Sequence, residues 1–278
     1  MMNDNFKYRF GGVEYDLAAR THIIGIVNVT LDSFSDGGKY FDVERAVTHG
    51  LALAEEGADF LDIGGESTRP GSEPVSEEEE LRRVVPVIER LKKQCSVPIS
   101  IDTYKSAVAD AALSAGAVIV NDISGLTFDS RMAAVTIKHK ASIVVMHIQG
   151  APKTMQKNPQ YENVTNDVKE FLRVQAAKAF ETGIRQIIID PGIGFGKAQE
   201  HNIQLLRELK QFAELGYPIL VGPSRKTFVG TILNLPPEKR GEGTAAATTV
   251  SIFNGAHIIR VHDVKAMKRV ALVADALK

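Results

Sequence analysis

Gln186-Ile187-Ile188-Ile189-Asp190-Pro191-Gly192 decides how this chain is to be read. Three branched apolar residues in succession leave neither face of a strand polar, the pattern of a parallel strand buried on both sides. The run stops on a carboxylate and a Pro-Gly turn. Working outward, residues 22–29, 59–63, 98–101, 118–120, 142–146, 218–221 and 257–261 repeat the theme, most of them rich in Ile and Val. With 186–189 they make eight predicted strands. Amphipathic segments lie between them. Leu81, Val84, Val85, Ile88 and Leu91 follow helical spacing, as do Val43, Ala46, Val47 and Ala54, and later Leu205, Leu209 and Phe212. Ser76 with Glu79 reads as a capping box, and the acidic run 77–80 as the solvated start of a helix. A closing helix is expected over 264–277.

No Pro/Ser-rich linker divides the chain, and the spacing of the strands is not a sequence repeat, so a solenoid is excluded. Eight βα units in one run fit a (β/α)8 TIM barrel better than a doubly wound sheet. Ahead of it, Lys7-Tyr8-Arg9-Phe10-Gly11-Gly12-Val13-Glu14-Tyr15 reads as a short N-terminal β-hairpin over about 7–16, its Gly-Gly pair supplying the positive φ of a tight turn. The expected organisation is one domain over 1–278.

The length of 278 residues allows this, since α/β barrels fill roughly 200–250 residues as single domains. Hydrophobic residues at 44% and charged residues at 24% are near the globular average, which excludes disorder, collagen and coiled coil. Lys+Arg of 33 against Asp+Glu of 34 leaves a net charge of -1, with no basic excess to draw nucleic acid or an anionic membrane. The one cysteine, Cys95, excludes an internal disulfide framework and a clustered thiolate metal site, and fits a reducing, cytoplasmic setting. Residues 1–10 lack the apolar core of a signal peptide, and no apolar run reaches the ~20 residues of a membrane span.

Barrel enzymes carry function at the C-terminal ends of their strands. Here those ends bear Asn28 followed by Asp32, Ser33 and Asp36, then Glu66-Ser67-Thr68-Arg69-Pro70-Gly71, Asp102, Asn121 with Asp122, His147, Asp190, Ser224-Arg225-Lys226, and Arg260 with His262. Any one of them could be a helix cap or a turn former. Together, carboxylates, amides and cations converging on one rim predict a polar substrate with an anionic part. His147 reads as a hydrogen-bonded structural residue and His22 as structural. Gly192-Ile193-Gly194-Phe195-Gly196-Lys197 lacks the order of a nucleotide loop and reads as a flexible βα loop. Lys226 has two readings: a Schiff-base lysine of lowered pKa, or a hydrogen-bond donor to a ligand oxygen or ring nitrogen.

Several of these stretches resemble signatures of the dihydropteroate synthases. Asn28-Val29-Thr30 with Asp32-Ser33-Phe34-Ser35-Asp36-Gly37-Gly38 resembles the first, and Gly65-Glu66-Ser67-Thr68-Arg69-Pro70-Gly71 the second. Ile101-Asp102-Thr103, Asn121-Asp122-Ile123, Met146-His147, Asp190 to Lys197, Ser224-Arg225-Lys226 and Arg260-Val261-His262-Asp263-Val264 continue the match in order. Leu31 departs from the pattern, which has Pro there; losing a φ-locking residue loosens that loop without changing the reaction.

The resemblance implies a transferase of folate biosynthesis that is a sulfonamide target. It would join 6-hydroxymethyl-7,8-dihydropterin diphosphate to p-aminobenzoate, giving 7,8-dihydropteroate and pyrophosphate with Mg2+ as cofactor. It further implies a homodimer. On this reading Asp190 offers a bidentate acceptor to the pterin N3–H and 2-amino group, and Asn121 both donates and accepts at the same ring. Asp102, Lys226 and Arg260 would be catalytic as well as pterin-binding. Arg69, His262 and Asn28 would meet the diphosphate, Asn28 also holding Mg2+. Phe34, Thr68 and Pro70 would close over p-aminobenzoate. A weak aniline nucleophile favours a dissociative, SN1-like route driven by electrostatic stabilisation. Competing readings are a pterin-dependent corrinoid methyltransferase, a Schiff-base lyase using Lys226, and a silent pterin-binding protein.

Overall fold

The structure, a computed structural model, describes residues 6–29 and 39–278. Leu31 and Phe34, with the rest of the first signature loop, lie outside the described residues.

Eight parallel strands form the ring: β3 (His22–Asn28), β4 (Phe60–Gly64), β5 (Ile99–Asp102), β6 (Ile119–Asp122), β7 (Ser142–Met146), β8 (Ile187–Asp190), β9 (Leu220–Val221) and β10 (Ile258–Val261). Their order is β8-β7-β6-β5-β4-β3-β10-β9, and the bridge Ile189↔Ile219 joins the two ends. Helices α1 (Lys39–Glu55), α2 (Glu77–Gln94), α3 (Ser106–Ala115), α4 (Met132–Lys138), α5 (Val164–Thr182), α6 (Gln199–Arg207), α7 (Thr227–Leu233), α8 (Gly241–Phe253) and α9 (Val264–Leu277) lie on the connections and after the last strand. This is the expected (β/α)8 barrel.

Strand side chains alternate between the helices and the barrel interior. Residues such as Leu61, Ile63, Ile101, Val120, Ile189 and Val261 face outward and share one core with Val84, Val87, Ile88 and Leu91 of α2. The opposite set, Ile24, Phe60, Ile119, Val144, Ile188, Leu220 and Ile258, fills the lower interior. The strands run one residue past several apolar runs, to Gly64, Asp102 and Asp190, and two past another, to Asp122. The backbone of those three acids is therefore held in the sheet. Conversely, β9 is only two residues long, because Pro218 has no N–H to give and Gly222-Pro223 follows at once.

The hairpin is β1 (Lys7–Phe10) with β2 (Val13–Asp16), turned at Gly11 and Gly12 with φ of 58 and 90. It closes the bottom of the barrel. Phe10, 1% exposed, meets Phe60 edge-on at 5.0 Å, and the Tyr8 hydroxyl donates to the Ile187 carbonyl at 2.8 Å. Gln186 explains itself here: its amide exchanges hydrogen bonds with both the N–H and the C=O of Arg9. At α2, Ser76 caps the helix by accepting from the Glu79 N–H. The Glu79 side chain pairs with Arg82 and Arg83, so only half of the expected capping box forms.

Candidate active site

Register carries the alternation upward. Ile26 pairs with Asp62, Asp62 with Ser100, Gly64 with Asp102, and Asp102 with Asn121. One pleat above the apolar layer, the interior turns polar. Arg260, reaching in from β10, donates through Nε to Asp62 Oδ2 at 2.6 Å and through Nη2 to Asp102 Oδ2 at 2.6 Å. Asn121 Nδ2 donates to the same Asp62 oxygen at 3.0 Å. The other oxygens, Asp62 Oδ1 and Asp102 Oδ1, are buried with no partner. Buried acceptors are rarely left so, because the lost hydration costs roughly 1–3 kcal/mol each. Burial pushes the Asp102 carboxyl up to about 7, against the pull of Arg260 and with Asp62 adding to the rise.

Across the mouth, Asp190 Oδ1 accepts from the Gly192 N–H at 2.7 Å. One of its oxygens is thus tied to the turn, while both keep acceptor capacity for a ligand. Burial raises its pKa to about 6, with the Gly192 bond, Lys226 and Lys197 opposing. Burial and Arg260 lower Lys226 to about 8. Its ammonium stands 4.1 Å from the centre of the Phe195 ring. Gly194 permits this: φ is 85, and a Cβ there would come within 3.0 Å of Lys226 Cδ. Phe195 belongs to an apolar wall with Ile123, Met146, Ile148 and Met155. A flat apolar face beside convergent donors and acceptors suits a heteroaromatic ring.

The Gly192–Lys197 stretch is more tied than the expected flexible loop. Gly194 N–H donates to Asn202 Oδ1 at 2.6 Å, and the Tyr161 hydroxyl to the Gly196 carbonyl at 2.6 Å. Lys197, 2% exposed, folds back beneath the site and meets His147 Nδ1 at 2.9 Å and the Phe195 carbonyl at 3.0 Å. Burial lowers Lys197 to about 7, and burial with Lys197 depresses His147 far below its ordinary range. His147 also packs edge-on against Phe171 at 4.9 Å, in keeping with a structural residue. His22 too is buried, its pKa lowered by that burial to about 4. Asp122 caps the turn to Leu126 through three hydrogen bonds.

At the rim, His262 Nδ1 meets Ser224 Oγ at 2.9 Å, and burial with the cations Arg260 and Arg225 brings its pKa down to about 4. Asn28 ends β3, exposed. A Cβ at Gly64 would lie 3.8 Å from Asn28 Oδ1 and 3.7 Å from Asp102 Oδ2, so the glycine keeps open the space between them. Asp102, Asn121, Asp190, Lys226 and Arg260 are therefore brought together at one mouth. Arg69 and Pro70 are exposed and Thr68 half-buried on the loop after β4, and none is hydrogen-bonded to that cluster.

Sequence reasoning missed Asp62 and Lys197. Asp62 is fully buried at the middle of β4 and not at a strand end. The signal was there: an acid two residues before Gly64 in an otherwise apolar run. Lys197 stood at the end of a quoted stretch, but its meeting with His147, 50 residues away, had no sign in the residue order.

Barrels that gather acids, an amide, Lys and Arg around an apolar wall define a class. The matching family model is that of the pterin binding enzymes, over residues 24–262. Among relatives, the dihydropteroate synthase of Synechocystis sp. is 48% identical over 270 residues, covering 96% of this chain and 93% of that one. That of Bacillus subtilis is 48% identical over 260 residues, covering 93% and 89%. The crystal structure of the Clostridium difficile synthase in the presence of pteroic acid superposes with a TM-score of 0.88 at 44% identity, covering 97% and 98%. The Yersinia pestis synthase with a sulfonamide drug gives 0.91 at 41%, covering 98% of each. The chain belongs to the dihydropteroate synthase family, and the corrinoid methyltransferase reading is not favoured.

Proposed function

We propose that the protein condenses 6-hydroxymethyl-7,8-dihydropterin diphosphate with p-aminobenzoate by a dissociative route, with the roles divided as follows. The observation that carries the pterin reading is the pair of partnerless buried oxygens, Asp62 Oδ1 and Asp102 Oδ1, beside Asn121 and Arg260. They are acceptors matched to ring N–H donors. The free oxygen of Asp190 takes a further donor from the pyrimidine edge, and Lys226 donates to the ring carbonyl or N5. The apolar wall around Phe195 carries the flat ring.

The bond between the 6-methylene carbon and the diphosphate oxygen breaks, and its electron pair leaves with pyrophosphate. Positive charge spreads from the methylene into the ring, where Asp102, in its ionised form, would stabilise it. The aniline nitrogen of p-aminobenzoate then forms the C–N bond and loses a proton. Thr68, Pro70 and Phe34 are assigned to p-aminobenzoate, and Arg69, His262 and Asn28 to the diphosphate. Among the described residues no group of three or more His, Cys, Asp or Glu could hold an ion. Mg2+ keeps waters and phosphate oxygens and needs few protein ligands; the Asn28 amide oxygen would hold it, and it would neutralise charge on the leaving diphosphate. No described helix is long and apolar enough to cross a membrane. The single cysteine fits the reducing setting of a cytoplasmic enzyme acting on small molecules.

The test is a turnover assay with both substrates, with and without Mg2+. Equal yields of pyrophosphate and dihydropteroate, dependent on Mg2+, are expected. Ligand binding without turnover would favour the silent binding protein, and borohydride trapping on Lys226 a lyase. Scrambling of isotopic oxygen at the bridging position without p-aminobenzoate would support departure of pyrophosphate before attack.

A further inference from the structure

A second charged cluster lies beside the mouth, built from neither the pterin pocket nor the phosphate-facing residues. Lys105 Nζ stands 2.6 Å from each of three acceptors: Glu66 Oε2, the Val75 carbonyl and Glu80 Oε2. An ammonium has three N–H groups, so each is used. Glu66 Oε2 also accepts from the Val75 N–H at 3.0 Å, and Glu66 Oε1 from the Tyr104 hydroxyl at 2.7 Å. Glu66 and Val75 are the two ends of the loop that carries Thr68-Arg69-Pro70. One lysine therefore clasps both ends of that loop.

The clasp is anchored from below. Lys105 and Tyr104 follow β5 directly, three and two residues after Asp102. The strand that presents Asp102 to the pterin pocket thus also sets the height of the loop. Between the clasped ends the loop is braced lightly. Ser72 N–H and Oγ donate to the Arg69 carbonyl at 3.1 and 2.8 Å, and the Gly71 N–H reaches the Pro152 carbonyl at 3.2 Å. Ser72 Oγ also meets the Ser67 carbonyl, a tie within the loop itself, and Lys153 to Glu73 is an exposed pair of little strength. The position of Thr68-Arg69-Pro70 over the barrel depends chiefly on the clasp.

We propose that Lys105 is a positioning residue for the second substrate: by holding Glu66 and Val75 over the end of β5, it keeps the Thr68–Pro70 segment in register with the pterin pocket. The inference rests on the reading of that segment as the p-aminobenzoate contact. It requires that loosening the clasp weaken p-aminobenzoate and not pterin.

Lys105→Met is to be compared with wild type in steady-state kinetics, in calorimetric titration of a pterin ligand, and in hydrogen exchange over residues 66–75. Because it strands two buried carboxylates, Lys105→Met with Glu80→Leu serves as the variant that keeps the fold; there Glu66 retains Tyr104 and the Val75 N–H. The expected result is faster exchange in the loop, KM for p-aminobenzoate raised about tenfold or more, pterin affinity within about twofold of wild type, and partial recovery of KM in Lys105→Arg. Unchanged loop exchange would overturn the clasp itself. Faster exchange with unchanged KM for p-aminobenzoate would overturn the assignment of Thr68–Pro70 on which it rests. An equal loss of pterin affinity would reduce Lys105 to a general structural part.

Discussion

At the scale of single residues, Asp190 shows how one carboxylate serves two masters. Oδ1 accepts from the Gly192 N–H at 2.7 Å and secures the turn, leaving the second oxygen for a ligand donor. Asp190→Asn keeps the first bond through its amide oxygen and points an N–H where an acceptor stood. A donor then faces the pterin donor in a dry pocket, and losing such a partner typically costs about 2–5 kcal/mol. We expect severe loss of pterin affinity by calorimetry with no fall in the thermal melt; wild-type affinity would remove Asp190 from the site. The same residue sets a pH window. Burial raises Asp190 to about 6 and lowers Lys226 to about 8. Pterin binding wants the acid ionised and the lysine protonated, so these two groups hold affinity highest between about 6 and 8, with Asp102, raised to about 7, titrating inside that window. Affinity should fall about tenfold per pH unit on either side, as single-proton linkage requires, once the ligand's own titration is subtracted. Stability runs the other way. The cost of ionised Asp190 vanishes below its ordinary pKa near 4, and that of protonated Lys226 above its ordinary pKa near 10. Both costs stand in the window where binding is best, as expected where a site trades stability for function. A flat affinity profile across pH 5 to 9 would deny both groups a direct part.

At the scale of elements, the β8 end and its glycine-rich turn are the tightest passage in the barrel. Gly192 has φ of 70, and a Cβ there would fall 1.9 Å from the His147 carbonyl oxygen. Backbone cannot yield as a side-chain tip can. Gly192→Ala must therefore push β8 from β7, and its left-handed conformation adds about 1–2 kcal/mol of strain. We expect a lower melting temperature together with lost pterin affinity, since Asp190 moves with the turn; calorimetry and a melt check both. This element also marks what sequence could and could not tell. The eight strands, the hairpin and the convergence of Asp102, Asn121, Asp190, Lys226 and Arg260 were legible, because apolar runs mark buried strands and barrel geometry gathers their ends. The bond from the Gly192 N–H back to Asp190 was not, since residue order does not show where a side chain turns. Nor were Asp62 beneath Arg260 or Lys105 across Glu66 and Glu80. Those partners lie 198, 39 and 25 residues apart, and only strand register brings them together.

At the scale of the molecule, the surface divides by function. Large apolar side chains stand exposed on the last three helices, among them Ile232 and Leu233 of α7, Phe253 of α8, and Leu272, Val273 and Leu277 of α9. We propose that these helices meet in the homodimer that the family resemblance implies. Sedimentation should give twice the chain mass, and Phe253→Glu should shift it toward the monomer; a monomeric wild type would end the idea. The two ends of the barrel divide just as sharply. The polar mouth carries the chemistry, while the bottom is closed by the hairpin, with Phe10 wedged at 5.0 Å from Phe60 and 5.4 Å from Tyr15. In this fold the lower face serves stability and the upper face catalysis. Phe10→Ala removes a ring that is 1% exposed and leaves a cavity the strands cannot collapse to fill. Such truncations cost about 3–5 kcal/mol. For a chain of this size that is a fall on the order of 10 °C in melting temperature. Between Phe10 and the Asp62–Arg260 layer stands the apolar layer of Ile24, Phe60, Ile119 and Val144, so the mouth should keep its geometry. The expected outcome is a less stable enzyme whose kcat and KM values at 25 °C stay within about twofold of wild type. If activity falls in step with stability, the plug and the site are mechanically coupled, and the division of the barrel into a stabilising end and a working end does not hold here.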